Sequence, residues 1–308
     1  MAHKIDGILL VDKMEDETSY DVVKKVKSLF GGGRVQKVGH AGTLDPFATG
    51  LLIILLGQGT KLSNFIMSGT KLYLAGIRLG IETDTMDPTG RVMVTRKVPD
   101  FVPEFIQQTC REFVGDIEQV PPAYSAVKYK GVRAYKLARR GLDVNLKKRT
   151  ITVHSLRILS INLPDITIAV SCSSGTYVRS LASDFGKKLG TGAHLRSLRR
   201  LASGPFEVRD AVGSREISNE NEYPLLREKV IPLGDALPDM REIEVDNVLA
   251  EKVQYGYQPI WEDLAKGTCD MWEGSAKLIR DGNLIAIVNV NMGKEVDHGK
   301  IKIKRVFS

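Results

Sequence analysis

The sequence predicts an α+β protein with a larger N-terminal domain, residues 1–236, and a small β-rich C-terminal domain, residues 237–308. Three observations carry this reading. Strand-like and helix-like segments follow one another without the regular alternation of a doubly wound α/β fold. Residues 51–56, Leu-Leu-Ile-Ile-Leu-Leu, form a continuous apolar run that suits a buried strand and is far too short to span a bilayer. Near residues 232–238 the chain changes character, from mixed elements to short strands.

Taken in order, residues 7–12 read as the first strand. Thr18 or Ser19 then caps a helix whose Val22, Val23, Val26 and Leu29 fall on one face, ended by Gly31, Gly32 and Gly33. Residues 34–50 read as irregular, rich in Gly, Thr and Pro, before the buried strand 51–56. A short helix (61–67), an alternating strand (71–79), a polar turn (82–90) and a strand (91–95) follow. Pro103, at a first-turn position, starts a helix to residue 114. A loop, 119–125, precedes a basic segment, 128–149. Residues 149–160 and 165–171 form a predicted hairpin, and a helix starts near Gly175. In the C-terminal domain a helix at 245–255 precedes strands around 275–290 and 299–307.

Composition is that of an ordinary globular chain, 43% hydrophobic and 26% charged. No signal peptide is legible, and Cys110, Cys172 and Cys269 are scattered without a CxxC or a nearby His pair. Reduced core cysteines in a cytoplasmic protein are expected, with neither disulfides nor a zinc site. The net charge of +7 is modest but unevenly placed. Residues 237–308 carry 10 basic and 12 acidic side chains, leaving 34 and 25, or +9, for the rest. That distribution fits a polyanionic partner on the larger domain, and on its own fits a soluble basic protein equally well.

The most unusual stretch is Gly39-His40-Ala41-Gly42-Thr43-Leu44-Asp45-Pro46-Phe47-Ala48-Thr49-Gly50. Its glycines permit backbone that other residues avoid, and an imidazole and a carboxylate lie five positions apart just before a buried strand. In isolation Asp45-Pro46 also reads as a turn and His40 as a surface residue. Gly57-Gln58-Gly59-Thr60-Lys61 invites a phosphate-cradle reading but lacks the third glycine of a dinucleotide fingerprint. A tight turn with Thr60 capping a helix is favoured. Glu82, Asp84 and Asp87 lack EF-hand spacing and read as a solvated turn. No GxSxG elbow supports a serine hydrolase. Gly175 feeds a helix that starts near Tyr177 and Arg179, and an arginine there can pair with a carboxylate. Residues 128–149 hold nine basic residues, among them Lys128, Lys130, Arg139 and Arg140, around Tyr129 and Tyr135, with Asp143 the only acid. Bases interleaved with tyrosines suit phosphate contacts and base stacking; the plain alternative is a solvated charged face. Arg196, Arg199 and Arg200 read as a second basic cluster.

Together these segments resemble the bacterial TruB family of tRNA pseudouridine-55 synthases. The likeness runs in order through residues 7–13, 39–52, 57–61, 71–73 with 78–80, and 83–90. It continues through 119–130 (QVPPAYSAVKYK), 175–181 (GTYVRSL) and 190–201 (GTGAHLRSLRRL). One departure is plain: the family's Asp-Lys-Pro-x-Gly-x-[Ser/Thr]-Ser stands here as residues 12–19, with Met14 and Asp16 in place of Pro and Gly. This predicts a looser loop after the first strand.

The resemblance implies a pseudouridine synthase fold, a mixed β-sheet with flanking helices, followed by a PUA-like RNA-binding domain. It implies that Asp45 is the catalytic aspartate, Tyr73 the tyrosine on the target base and Arg179 the arginine paired with the aspartate. His40 matches a histidine inserted into the RNA loop, and Tyr177 and Leu198 match residues of the target pocket. Lys128, Lys130, Arg139, Arg140 and Arg199 are expected on the RNA backbone. The implied partner is the TΨC stem-loop of tRNA, with no metal or other cofactor, no obligatory protein partner and no membrane, and the chain acting as a monomer. The chemistry suits the set. Cleaving an N-glycosidic bond develops positive charge at the sugar, which one carboxylate can capture or stabilise, and water must stay out so that the base can recombine. Attack at C1′, attack at C6 and a glycal route all remain open at this level. Two rival readings stand beside this one: an RNA-guided homologue acting on ribosomal RNA, and a non-catalytic RNA-binding or RNA-folding protein on the same scaffold.

Overall fold

In Lys71–Leu79 every second residue is buried, the period of a strand with one face on a core. Thr49–Leu56 is buried nearly throughout, and its alternate residues serve two different cores. Leu51, Ile53 and Leu55 pack into one cluster, while Leu52, Ile54 and Leu56 pack into another. This is why the sequence shows a continuous apolar run there, with a strand covered on both faces.

The computed structural model describes residues 5–30, 37–218, 223–264, 272–291 and 300–308. The principal elements are β1 (Gly7–Lys13), α1 (Ser19–Leu29), β2 (Val38–His40), β3 (Thr49–Leu56), β4 (Lys71–Leu79), α2 (Pro103–Arg111) and β5 (Gly115–Gln119). After them come β6 (Arg149–Asn162), β7 (Asp165–Cys172), α3 (Val178–Lys188), β8 (Ala193–Ser203) and β9 (Val212–Gly213). The main sheet runs β9-β1-β3-β8-β4-β7-β6-β5, with β2 added against β3. β1–β9 and β3–β8 are parallel pairs and the others antiparallel, so the sheet is mixed, as expected. Cores on its faces enclose α1 beside β1 and β3, and α2 and α3 beside β4, β6 and β7.

Local chemistry explains several boundaries. Thr18 caps α1 in a reciprocal capping box with Asp21. Pro103 opens α2, which ends at Arg111, three residues before the expected stop. The glycines expected to end α1 and the third cysteine, Cys269, lie outside the described residues. Cys110 and Cys172 are free and buried, and burial pushes their thiols up to about 12 and about 11. Two strands come from segments read as irregular or as part of a basic cluster. β2 carries His40, and β8 carries Arg196, Arg199 and Arg200.

The C-terminal β-rich domain is a four-stranded sheet of β10 (Arg241–Glu244), β11 (Gly274–Arg280), β12 (Asn283–Asn291) and β13 (Lys300–Val306), in that order. Helix α4 (Asn247–Gln254), capped by Asp246, packs on it. Ile279, Leu284, Ile287 and Phe307 join the same apolar cluster as Ile8, Leu10 and Leu51, so the two sheets share a core. The turn Gly57–Leu62 is the docking point. Lys61 Nζ donates to Val306 O at 2.7 Å, and Ser308 N donates to Gln58 Oε1 at 3.0 Å. Thr60 does not cap a helix there; its hydroxyl donates to Gly57 O at 2.8 Å. Along β13, Lys302 and Lys304 are exposed while Ile301 is buried and Ile303 half-buried. Among the described residues no helix is long and apolar enough to cross a membrane.

Candidate active site

Asp45 sits on the loop between β2 and β3, and the loop is held from below by packing and from the sides by buried donors. Leu44, Phe47 and Ala48 enter the core formed by β4, β7 and α3. The amide of Leu44 donates to Ser19 Oγ at 2.9 Å, tying the loop to the start of α1. Lys13, fully buried, donates from Nζ to the carbonyls of Met14 (2.8 Å), Glu17 (2.6 Å) and Pro46 (3.1 Å). Burial lowers the Lys13 ammonium to about 8, with nearby carboxylates pulling the other way.

Around Met14 and Asp16 the loop after β1 is held by hydrogen bonds to other segments. Met14 N donates to Ser214 Oγ at 3.2 Å and Asp16 N to Pro46 O at 2.9 Å. Ser214 Oγ donates in turn to Glu17, which also pairs with Lys25. Asp16 takes the positive φ of 65° that a glycine adopts more readily. Side chains brace here what a rigid Pro and a free Gly would otherwise shape.

Arg179 stands in the first turn of α3 with its side chain 4% exposed. Nη2 donates to Asp45 Oδ1 at 3.1 Å and to Tyr124 O at 2.9 Å. Nη1 donates to Thr85 O at 3.0 Å and to Asp87 Oδ2 at 3.3 Å. Nε lies 2.9 Å from Asp45 Oδ2 as an ion-pair contact without the alignment of a hydrogen bond. One guanidinium is thus shared by two carboxylates. Burial raises the carboxyl of Asp45 above its ordinary value, Arg179 opposes that, and Asp87 adds to it. The Asp45 side chain is still 32% exposed, so the carboxylate reaches solvent although it is paired with a buried guanidinium.

Asp87 departs from the reading of residues 82–90 as a solvated turn. It is 4% exposed, and its Oδ1 accepts from Thr85 Oγ1 (2.6 Å), Thr89 N (3.0 Å) and Thr89 Oγ1 (2.6 Å). Those bonds fold the turn over the carboxylate and leave Oδ2 for Arg179. The threonines at 85 and 89 were the available signal, since short polar side chains around an aspartate favour such a local turn.

Tyr73, on β4, is buried, and burial pushes its phenol up while Arg200 opposes the shift. Leu198, on β8, packs into the same cluster as Tyr73, Leu44 and Phe47. Tyr177 immediately precedes α3, and Gln119 clasps its backbone. Gln119 Nε2 donates to Tyr177 O at 3.0 Å, and Tyr177 N donates to Gln119 Oε1 at 2.8 Å. The Arg149 guanidinium stacks over the Tyr177 ring, 4.6 Å from its centroid. His40 is half-buried on β2, its Nδ1 buried without a partner, and burial and then Arg200 lower its basicity.

The basic segment leaves the site at Tyr124, whose carbonyl Arg179 holds. It forms a small hairpin and a short helix, Ala134–Ala138, with Lys128, Lys130, Arg139 and Arg140 exposed. Lys130 and Arg139 lie over the rings of Tyr129 and Tyr135. Arg199 does not join them. Its two terminal amines donate to the Asp12 carboxylate at 2.9 and 2.6 Å, which occupies the fork expected for phosphate. Gln119, Asp87, Lys13 and Arg200 are the supporting residues that the sequence reading did not single out for this site. Among the described residues no three His, Cys, Asp or Glu side chains converge as a metal cluster would require.

Comparison with known proteins adds the family. Residues 27–178 match the model of the TruB family pseudouridylate synthase N-terminal domain, and residues 179–238 match the tRNA pseudouridylate synthase B C-terminal domain. The tRNA pseudouridine synthase B of Syntrophotalea carbinolica is 39% identical over 308 residues, covering 99% of this chain and 98% of that protein. The chain belongs to the TruB family. A second relative in the family, the tRNA pseudouridine synthase B of Geobacter sulfurreducens, is 39% identical over 307 residues, covering 99% and 100%. Among solved structures, the crystal structure of a Cbf5-Nop10-Gar1 complex aligns with a TM-score of 0.75 at 24% identity. It covers 98% of this TruB-family chain and 85% of the other. At that identity the likeness speaks for the fold, which is the pseudouridine synthase fold expected above.

Proposed function

We propose that this chain isomerises uridine 55 in the TΨC loop of tRNA to pseudouridine, with Asp45 as the catalytic carboxylate. The observation that carries the reading is one carboxylate, ion-paired to a buried Arg179, beside the apolar group of Tyr73 and Leu198. The reaction breaks the N1–C1′ bond and forms a C5–C1′ bond. C5 gives up a proton and N1 gains one, so atoms and charge balance without an external reductant or acceptor. Asp45 stabilises or captures the positive charge that develops at the sugar. The Arg179 guanidinium favours its ionised form, opposing the effect of burial. Tyr73, Tyr177 and Leu198 offer apolar surface to a base lifted out of its stack and keep water from the broken bond. His40 fills the space which that base leaves. Lys128, Lys130, Arg139 and Arg140 contact the RNA backbone.

The chain works without a protein partner and as a monomer, and residues from about 237 onward form a PUA-like domain that adds binding energy for the tRNA. The relatives' name and the exposed basic segment support tRNA as the substrate. The deciding experiment incubates the purified protein alone with an unmodified tRNA transcript and maps pseudouridine. Modification at position 55 supports the reading. Dependence on added proteins or a guide RNA would favour the RNA-guided alternative, and binding without modification would favour the non-catalytic one.

A further inference from the structure

Arg196, Arg199 and Arg200 are neighbours in sequence, but β8 sends them to different places. Arg196 is exposed and pairs with Asp165, and Arg199 pairs with Asp12. Arg200 is 2% exposed and makes no ion pair with a carboxylate among the described residues. Its Nε donates to Leu51 O at 2.6 Å and Nη2 to Gly42 O at 3.0 Å. It is the direct cross-strand neighbour of Tyr73, and its charge favours the ionised form of the Tyr73 phenol. Its own backbone lies against Gly50 in parallel register, so close that a Cβ on Gly50 would strike the Arg200 carbonyl.

These contacts bracket Asp45. Gly42 lies three residues before it, Leu51 six residues after, and Tyr73 on the adjoining strand. Desolvating a guanidinium without a carboxylate partner is costly, so an apolar side chain would serve stability better at this position. A rigid planar fork does what no apolar side chain can, reaching two carbonyls in different directions at once. The glycine at position 42 has a φ of 93°, a conformation other residues rarely adopt, and Arg200 bonds to its carbonyl.

We propose that Arg200 is a positioning residue that fixes the two ends of the Asp45 loop beside its strand neighbour Tyr73 in one arrangement, without touching RNA. The proposal rests on the assignment of Asp45 given above. A displaced reacting group lowers the rate far more than it lowers binding, and a shift of about 1 Å costs on the order of a hundredfold.

The test uses full-length Arg200→Met and Arg200→Lys with unmodified tRNA. Thermal unfolding, tRNA affinity by filter binding and single-turnover rate at saturating enzyme are measured on each. Expected are affinities within about threefold of the parent and rates lowered about ten- to a hundredfold. Arg200→Lys stays deficient because one ammonium cannot replace a fork spanning Gly42 and Leu51. A parental rate in a folded Arg200→Lys overturns the proposal, and this variant decides if Arg200→Met does not fold. Affinity falling as far as the rate overturns it too, since that is the signature of a phosphate contact. Asp45→Asn is run in parallel. An active Asp45→Asn removes the reading of Asp45 itself, whereas an inactive Asp45→Asn beside a fully active Arg200→Lys refutes the role of Arg200 alone.

Discussion

Asp87→Ala and Asp87→Asn separate the structural from the electrostatic share of the Arg179 network. The Ala variant leaves Thr85 Oγ1, Thr89 N and Thr89 Oγ1 without their acceptor and Arg179 with one carboxylate instead of two. Three hydrogen bonds from neutral donors to this carboxylate contribute about 1.5 kcal/mol or more each when fully buried, and about 1 kcal/mol each where water re-enters the exposed side of the turn. Breaking a buried ion pair costs about 3–5 kcal/mol. The low end applies, because Arg179 keeps Asp45 and the carbonyls of Thr85 and Tyr124. We expect Asp87→Ala to lose about 4–6 kcal/mol of stability. Asp87→Asn keeps an acceptor for the threonines but not the charge, and loses about 2–3 kcal/mol. Asp87 is also one of the groups raising the Asp45 carboxyl. In folded Asp87→Asn that carboxyl ionises at lower pH, so the acid limb of single-turnover rate moves to lower pH while the plateau falls with the loosened Arg179. Urea unfolding midpoints and a pH series of single-turnover rates measure both effects. If both variants stay within about 1 kcal/mol of the parent, with an unmoved acid limb, Asp87 does not share Arg179 in solution.

Asp45→Asn should abolish turnover while leaving tRNA affinity within a few-fold, because an amide cannot supply the charge that steadies the developing cation; pseudouridine formation near the parental rate would contradict the assignment. Neutralising Arg139 and Arg140 together should flatten the log–log salt dependence of tRNA binding by about one to two units, and an unchanged slope would return them to a solvated face. Charge reversal at Lys302 and Lys304 should raise KM for full tRNA more than for an isolated TΨC stem-loop, with single-turnover rates at saturation spared. Point changes are the right tool there, because cutting the chain near residue 237 would expose the core that Phe307 and Ile279 share with β1 and β3. Lys13 is lowered from its ordinary 10.5 to about 8, so the folded state releases this proton before the unfolded chain does. Its stability contribution is therefore fully present above pH 10.5 and lost as pH falls through about 8. Relative to Lys13→Met, the parent should gain up to about 3 kcal/mol between those values, and a flat difference by chemical unfolding would refute this.

Much of the molecule was legible from local pattern. The period-2 alternation of residues 71–79, the capping residues of α1 and the apolar run at 51–56 each depend on neighbours in sequence, and each became the element expected. The residues of the site were legible for another reason. His40, Asp45, Tyr73, Tyr177, Arg179 and Leu198 sit in motifs long enough to identify a family; in the structure Asp45 pairs with Arg179, and its loop neighbours Leu44 and Phe47 pack with Tyr73 and Leu198. What stayed hidden is everything whose meaning depends on which chain segment lies opposite. Charge alone could not distinguish Arg199 from Arg200, because adjacent residues on a strand face opposite ways and only the strands beside β8 decide what each one meets.

The sequence by itself determined the α+β class and the extended and helical segments, which follow from residue type and spacing, and it marked out the loop of residues 39–50. Only the tertiary structure decided that Asp87 is buried against Arg179, that Gln119 clasps Tyr177 and that Lys13 and Arg200 hold the carbonyls flanking Asp45. Each of these is a polar group that must find a partner once it leaves water. The partner lies 33 residues away in the nearest case, Lys13 with Pro46, and 158 in the farthest, Arg200 with Gly42. No window of sequence contains both ends of such a bond.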